Sequence, residues 1–384
     1  MNVTGAWISQ PASQAVFRFL RDAGHEAYFV GGCVRNALMG VPVNDLDIST
    51  DATPETVMRL ATAAGLHAVP TGIDHGTVTV VSDHIPFEIT TYRRDVETDG
   101  RHAVVAFAQT IEEDARRRDF TMNALYADAD GTVVDPLGGG LKDLSERALR
   151  FIEDPDMRIR EDYLRILRFF RFSAWYGDPM TGMDPDALAA ISSNLAGLET
   201  ISRERVGSEV IKLLSAKDPA PALATMQMTG VLTMILPGAD HKSIGPLTLA
   251  EAQADADPDP ICRLAALGGN VEGNDLRLAN VQKRDLALYR DEIGSVVGAG
   301  ELGYRYGYFK AVNILMLRSA MLEHPFSYTV LPVAKAGSDA VFPVKAQDLM
   351  PEFSGPTLGK RLKALETSWI NSGFEKSKEQ LLDE

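Results

Sequence analysis

The alternation of apolar and polar positions divides the chain into a first part that mixes strand and helix patterns and a later part that is helical throughout. Ala15, Val16, Phe19 and Leu20 recur at helical spacing, so Ser13 to Ala23 is predicted as a helix that Gly24 ends. Tyr28, Phe29 and Val30 form a short apolar run of strand character, broken at Gly31-Gly32 and followed by a predicted helix from Val34 to Met39 that stops at Gly40. Beyond the turn at Pro42, Leu46 and Ile48 alternate with Asp45 and Asp47. A strand there would carry both carboxylates on one face. Thr53-Pro54-Glu55 reads as an N-cap with proline at the first helical position, opening a helix through Ala64 that Gly65 ends. GIDHG then turns the chain into a strand over Thr77 to Val81, and in PFEITTYR the residues Glu88, Thr90 and Tyr92 fall opposite Phe87 and Ile89. A polar loop is expected over Arg93 to His102. Arg116 to Leu125 reads as a basic run entering an amphipathic helix, a hairpin-like DADGTVVD follows, and the strand-containing part ends near Phe151.

From Asp154-Pro155 to Gly177 one helix is predicted, apolar almost all round and therefore buried. Yet Arg165, Arg168 and Arg171 recur in it at every third residue, preceded by Glu161-Asp162. Burying an unpaired guanidinium is costly, so these arginines must meet carboxylates, phosphates or a base edge, and internal ion pairs would satisfy them as well as a ligand. Further helices are predicted over 201–216, 220–228, 261–266, 276–288, 308–322 and 358–368. The expected division is 1–150, 151–216 and 217–384.

Composition narrows the class. A length of 384 residues suits two or three domains, and 45% hydrophobic residues suffice for their cores. No apolar run approaches the ~20 residues that span a bilayer. The first residues lack the basic region and apolar core of a signal peptide, so the expected location is the cytoplasm. Cys33 and Cys262 stand far apart without metal-ligand spacing and read as reduced thiols. The net charge of -15 argues against indiscriminate binding of nucleic acid, whose affinity comes mainly from lysine and arginine. Any RNA contact must use a local basic surface such as Arg93-Arg94, Arg116-Arg117-Arg118 or the arginines between Arg158 and Arg171.

The candidate chemistry begins at Gly31-Gly32. A glycine pair lets backbone approach a ligand closely, and the N–H groups of the helix start point the same way, making a cradle for phosphate to which Arg35 adds charge. By itself the pair equally marks a tight turn. Two carboxylates side by side repel unless a cation lies between them, and hard oxygen ligands suit Mg²⁺; the same pair can also be a solvated strand face. Asp162 and Arg165 suit base reading. Cytosine and adenine both present an amino donor beside a ring-nitrogen acceptor, which an aspartate and an arginine match. Uracil or guanine would leave each unsatisfied at ~1–3 kcal/mol. His75, His241, His324 and the tyrosines of YRYGYF read as structural or surface residues.

At these residues a family resemblance enters. GGCVRN followed by DLD resembles the signature of the polymerase-β-type nucleotidyltransferases, specifically the branch of class II CCA-adding enzymes and bacterial poly(A) polymerases. RRDFTMNA and EDYLR resemble two further motifs of that family, and ERVGSE a third. The resemblance implies an α+β fold: a nucleotidyltransferase head with a small mixed sheet and helices over 1–150, a helical neck with a nucleotide-base template over 151–216, and a helical body and tail over 217–384 that binds tRNA. It implies that Asp45 and Asp47 hold two Mg²⁺ ions and that Glu88 supplies a third carboxylate. Gly31, Gly32 and Arg35 would bind the triphosphate, and Arg118 and Asp119 the sugar and phosphate side. Asp162 with Arg165 would select C or A, while Arg168 and Arg171 hold the triphosphate and neighbouring helices. The loop over Arg93 to His102 would take part in switching nucleotide choice. The implied activity is addition of C, C and A from CTP and ATP to the 3′ end of tRNA. Poly(A) polymerase, a CC- or A-adding enzyme, a non-catalytic RNA-binding relative and nucleotidyl transfer to a small molecule are the rivals. One position departs from the pattern: Asn36 follows the motif arginine where the family usually has aspartate.

Overall fold

Among the described residues seven strands form one mixed sheet in the order His67–Gly72, Thr77–Ser82, Ile85–Thr91, Asp47–Thr50, Ala27–Val30, Tyr126–Ala127 and Val133–Val134, the framework on which the candidate residues hang. The computed structural model describes residues 1–98, 103–269 and 275–384, and no helix among them is long and apolar enough to cross a membrane. The chain divides into two compact units, Met1–Leu213 with Pro221–Ile235, and Leu214–Ala220 with Leu236–Glu384.

The first unit opens with α1 (Ala6–Ser9) and α2 (Pro11–Asp22), then β1 (Ala27–Val30), α3 (Gly32–Met39), β2 (Asp47–Thr50) and α4 (Pro54–Ala63). Next come β3 (His67–Gly72), β4 (Thr77–Ser82) and β5 (Ile85–Thr91). The predicted punctuation is present. Gly40 ends α3 in the left-handed conformation, and the Thr53 side chain caps α4 by accepting from the Thr56 N–H at 3.4 Å. Period-two alternation holds along β5, where Phe87 and Ile89 are fully buried and Glu88 points outward. Together with Phe29, Ile48, Val78 and Val80 they form a core against which α2 and α4 pack. Tyr92 departs from the expectation: it lies past the strand's end, buried, its hydroxyl donating to Glu26 Oε2 at 3.1 Å.

Three further expectations are corrected. β2 begins only at Asp47, so Asp45 sits exposed in the preceding loop and does not alternate with it along a strand. The polar loop over Arg93 to His102 is a two-stranded antiparallel hairpin, β6 (Arg93–Thr98) and β7 (Ala103–Phe107), and 99–102 lie outside the described residues. The basic run follows a helix instead of opening one: α5 (Ile111–Arg116) ends at it, and Thr121–Asn123 is a single 3₁₀ turn. Asp119 explains the break, because its Oδ1 accepts from the Phe120 N–H and from Asn123 Nδ2, both at 2.9 Å, in competition with helical bonding.

β8 (Tyr126–Ala127), β9 (Val133–Val134) and α6 (Gly140–Ser145) lead into the helical stretch. There the single predicted helix is two, α7 (Pro155–Glu161) and α8 (Leu164–Tyr176). Asp162 breaks them with an extended backbone, φ −152° and ψ 105°, while its Oδ1 accepts from the Leu164 N–H at 3.0 Å. α9 (Pro185–Ser193), α10 (Arg203–Leu214), α11 (Ala220–Met228) and α12 (Val231–Ile235) follow.

The second unit carries α13 (Ile244–Gln253), α14 (Pro260–Leu267), α15 (Asn280–Ile293), α16 (Ala299–Tyr306), α17 (Tyr308–Met321), α18 (Val330–Asp339), α19 (Gly355–Asn371) and α20 (Lys378–Leu382). The helix predicted over 276–288 starts later, at Asn280. α16 and α18 cross on glycines: a Cβ on Gly337 would meet the Gly300 carbonyl oxygen at 1.9 Å. Arg263 is buried and paired with Glu251 at 2.5 Å, with its Nη1 also donating to the Leu214 carbonyl at 2.6 Å. The Tyr304 and Tyr306 hydroxyls donate to Glu366 and Glu292, so these tyrosines of YRYGYF are structural.

Candidate active site

The site is built on the register between two strands. β2 and β5 run parallel with Asp47 opposite Glu88, so two strand-borne carboxylates stand side by side at the floor of a cleft of about 380 Å³. Burial, and next the charge of Glu88, push the Asp47 carboxyl up to about 6; Arg118 works against the rise and Asp45 adds to it. A divalent cation would relieve that repulsion, and carboxylate oxygens are the donors Mg²⁺ prefers. Among the described residues no group of three or more His, Cys, Asp or Glu is assembled to hold a metal. An ion on Asp47 and Glu88 would therefore take further oxygens from water or a ligand's phosphates.

Much of the remaining lining is cationic. Arg117 and Arg118, just past the end of α5, line the cleft with Asp119, and α7 and α8 add Asp162, Arg165 and Arg168. Arg168 grips Asp119 through Nε at 2.7 Å and Nη2 at 2.5 Å. Burial disfavours the Asp119 charge, but Arg168 and Asn123 outweigh it and hold the carboxyl down at about 2. Asp119 is thus the anchor of Arg168. Arg165 donates to Glu161 at 2.5 Å and to the Arg117 carbonyl at 3.0 Å, while Asp162 Oδ2 accepts from Arg205 Nη2 of α10 at 2.6 Å. Asp162 and Arg165 both face the cleft, each tied to a separate partner.

Gly31 sits where Val30 leaves the cleft and α3 starts. Its φ of +69° lies in the region that favours glycine, and a Cβ there would come within 3.5 Å of Arg118 Nη1. Gly32 opens α3 beside it.

Two of the predicted arginines do not line the cleft. Arg35 is buried, its guanidinium donating to Asn36 Oδ1, Asn123 Oδ1 and the Tyr176 hydroxyl and lying 4.0 Å from the Tyr176 ring centroid. Burial pushes it below its ordinary value, with Tyr176 and Asp119 opposing. It joins α3 to α8. Arg171 is spent on Glu209 of α10 at 2.5 Å, which explains its helical periodicity without a ligand.

Several cleft residues were not singled out in the sequence. Thr90 shares the Glu88 face of β5 and hydrogen-bonds Thr77 of β4, so strand alternation contained that signal. Arg93 and Arg117 were visible only as members of basic runs. Asp114 is three and four residues before Arg117 and Arg118, a helical spacing that marks ion pairs. Arg205 meets Asp162 only through tertiary packing.

A mixed sheet carrying acids beside a glycine turn, followed by helices, defines a head of the polymerase-β nucleotidyltransferase type. Residues 27–150 match the family model described as poly A polymerase head domain, and residues 182–242 match the probable RNA and SrmB-binding site of polymerase A. The mitochondrial CCA tRNA nucleotidyltransferase 1 of Homo sapiens is 32% identical over 375 residues, 93% of this chain and 86% of that protein. The CCA-adding enzyme of Geobacillus thermodenitrificans is 32% identical over 402 residues, 97% of this chain and 96% of its own length. Among solved structures, the Bacillus stearothermophilus CCA-adding enzyme in complex with CTP superposes with a TM-score of 0.74 at 28% identity, covering 97% of this chain and 98% of that one. The chain belongs to the CCA-adding enzyme family of tRNA nucleotidyltransferases.

Proposed function

We propose that this protein is a template-independent RNA nucleotidyltransferase that adds C, C and A from CTP and ATP to the 3′ end of tRNA. The observation that carries the reading is one cleft lined by both Asp47 and Glu88 and by Arg117, Arg118, Asp162, Arg165 and Arg168. The named activity of relatives matched over nearly their whole length supports it.

In the proposed reaction the 3′-hydroxyl oxygen of the RNA attacks the α-phosphorus of the bound nucleotide while its proton passes to water, and the bond from the α-phosphorus to the oxygen bridging to the β-phosphate breaks to release pyrophosphate. Asp47 and Glu88 would hold Mg²⁺, with Asp45 of the preceding loop adding negative charge beside it and water or phosphate oxygens filling the shell, and the ion would supply Lewis-acid polarisation of the attacking hydroxyl and of the leaving pyrophosphate. Arg118 and Arg117 neutralise the triphosphate while the Gly31-Gly32 turn lets it approach the backbone. Asp162 and Arg165 read the base, accepting from its amino group and donating to its ring nitrogen. Because Asp162 Oδ2 already accepts from Arg205 and Arg165 donates to Glu161, base binding shares or exchanges those contacts. Arg168 and Asp119 brace that wall, and Arg35 and Arg171 act through packing. The proposed division of labour places transfer in 1–150, base reading in 151–216 and tRNA binding in 217–384, with the cytoplasm as the working compartment.

The test is incubation of the full chain with tRNA lacking its 3′ CCA, supplying CTP and ATP singly and together with Mg²⁺. Three defined additions with stoichiometric pyrophosphate are expected. An open-ended adenosine tail would make it a poly(A) polymerase, addition of C alone or A alone a partial enzyme, and binding without pyrophosphate release a non-catalytic relative.

A further inference from the structure

Asp114 plays no part in the scheme above, yet it is fully buried and accepts hydrogen bonds from four different parts of the head. Its Oδ2 accepts from Ser49 Oγ at 3.0 Å, Arg118 Nη2 at 3.0 Å and the Tyr126 hydroxyl at 2.8 Å. Its Oδ1 accepts from Arg117 Nε at 2.9 Å and from the Arg93 backbone N–H at 3.2 Å. Burial disfavours its charge, but the Arg118 and Arg117 guanidiniums outweigh that and hold the carboxyl well below the usual range.

What these contacts join is specific. Ser49 is two residues beyond Asp47 on β2, and period-two alternation puts it on the same side of the strand. Arg93 opens the β6–β7 hairpin, Tyr126 belongs to β8, and Arg117 and Arg118 face the cleft. Arg118 Nε also donates to the Tyr126 hydroxyl at 3.1 Å, so carboxylate and phenol fix its fork from two sides. One buried negative charge against two guanidiniums leaves the wall cationic, with both side chains held in place before any anion arrives. Long arginine side chains otherwise lose rotamer freedom when they order around a ligand.

We propose that Asp114 is a positioning residue for nucleotide binding: it presents Arg117 and Arg118 to the triphosphate and locks them in register with the strand that bears Asp47. The inference rests on the reading that the cleft takes a nucleoside triphosphate, and it adds the element that preorganises the phosphate wall.

Asp114→Asn keeps the side-chain shape but turns one acceptor into a donor. The Ser49 and Tyr126 hydroxyls can turn to accept from it, whereas a guanidinium cannot, so an arginine loses its anchor. In steady-state addition to tRNA lacking CCA, the variant should raise KM for ATP and CTP about tenfold or more while kcat stays within about threefold, the pattern of lost nucleotide binding. Tyr126→Phe should raise KM about threefold by removing one hydrogen bond to Asp114 and one acceptor for Arg118. In an Arg118→Ala background Asp114→Asn should add less than about threefold, since residues acting through one another are non-additive. KM within twofold of wild type for Asp114→Asn, or fully multiplicative effects in the double variant, overturns the proposal. Should Asp114→Asn fail to fold, unchanged KM in Tyr126→Phe overturns it. Wild-type protein that binds ATP or CTP by calorimetry but adds nothing to tRNA sinks the functional reading alone, and loss of nucleotide affinity in Asp114→Asn then still decides this one.

Discussion

Asp47 and Glu88 stand opposite one another in parallel register on β2 and β5, and this pairing raises the Asp47 carboxyl to about 6 through burial first and the Glu88 charge second. The two acids are separated widely in sequence and joined only by the sheet.

A raised carboxyl in the folded state costs stability once it ionises. The cost is absent below the ordinary carboxylate range, grows as pH rises through about 6, and is complete above it. Asp47→Asn should therefore melt later than wild type at pH 7.5 in EDTA, by about 1–2 kcal/mol, and lose that advantage near pH 4. The same variant should abolish nucleotide addition. Calorimetry and incorporation assays check both halves.

The metal requirement should follow the same titration. Because ligating carboxylates must be deprotonated, the half-saturating Mg²⁺ concentration should be flat above pH 7 and climb as pH falls through about 6, approaching tenfold per pH unit. Mg²⁺ titrations of activity at pH 5.5, 6.5 and 7.5 measure it, and a flat dependence would remove Asp47 from the metal site.

Arg35 should matter for stability and not for nucleotide affinity, since neutral oxygens and aromatic rings enclose it away from the cleft. Arg35→Met should lower stability by about 2–4 kcal/mol while KM for ATP and CTP changes little in the folded fraction. Asn36→Asp, which restores the carboxylate usual in the family, should raise the melting temperature by giving the buried guanidinium a charged partner. A tenfold rise in KM for Arg35→Met would restore its phosphate role.

Base choice should weaken when Asp162 is removed. Asp162→Ala should cut the preference for CTP over UTP by about 10- to 100-fold, the worth of one or two buried hydrogen bonds. Single-nucleotide incorporation rates give the ratio directly, and an unchanged ratio would place base reading elsewhere.

In the second unit, Gly337→Ala should be strongly destabilising, by about 1–3 kcal/mol or more, because its new methyl group would lie within bonding distance of the Gly300 carbonyl oxygen. Thermal denaturation should show the loss, with nucleotide binding at the head retained.

Much of the head was legible in the chain. Glycine stops, the proline-led cap at Thr53 and the alternation of Phe87 and Ile89 are local signals, set within a few residues by backbone and burial preferences. The acidic, glycine and arginine motifs also lie in short stretches, so the family and most cleft residues followed from them. Two helix predictions failed where a side chain competes with the backbone. Asp162 breaks a helix whose apolar pattern reads as continuous, and Asp119 stops another at the basic run.

The amino-acid sequence by itself determined most of the helices and strands of the sheet, the candidate acids and arginines, and the family, but not the strand pair at Arg93–Phe107 or the breaks at Asp119 and Asp162. Tertiary structure alone decided which carboxylate partners Asp47, which arginines reach the cleft and which are consumed by Tyr176, Asn123 or Glu209, and that Ser49 and Tyr126 converge on Asp114. The reason is physical. Periodicity records which face of an element is buried, while charges are neutralised by whatever side chain folding brings within hydrogen-bonding reach, and for Arg168, Arg171 and Asp162 that neighbour lies far away in the chain.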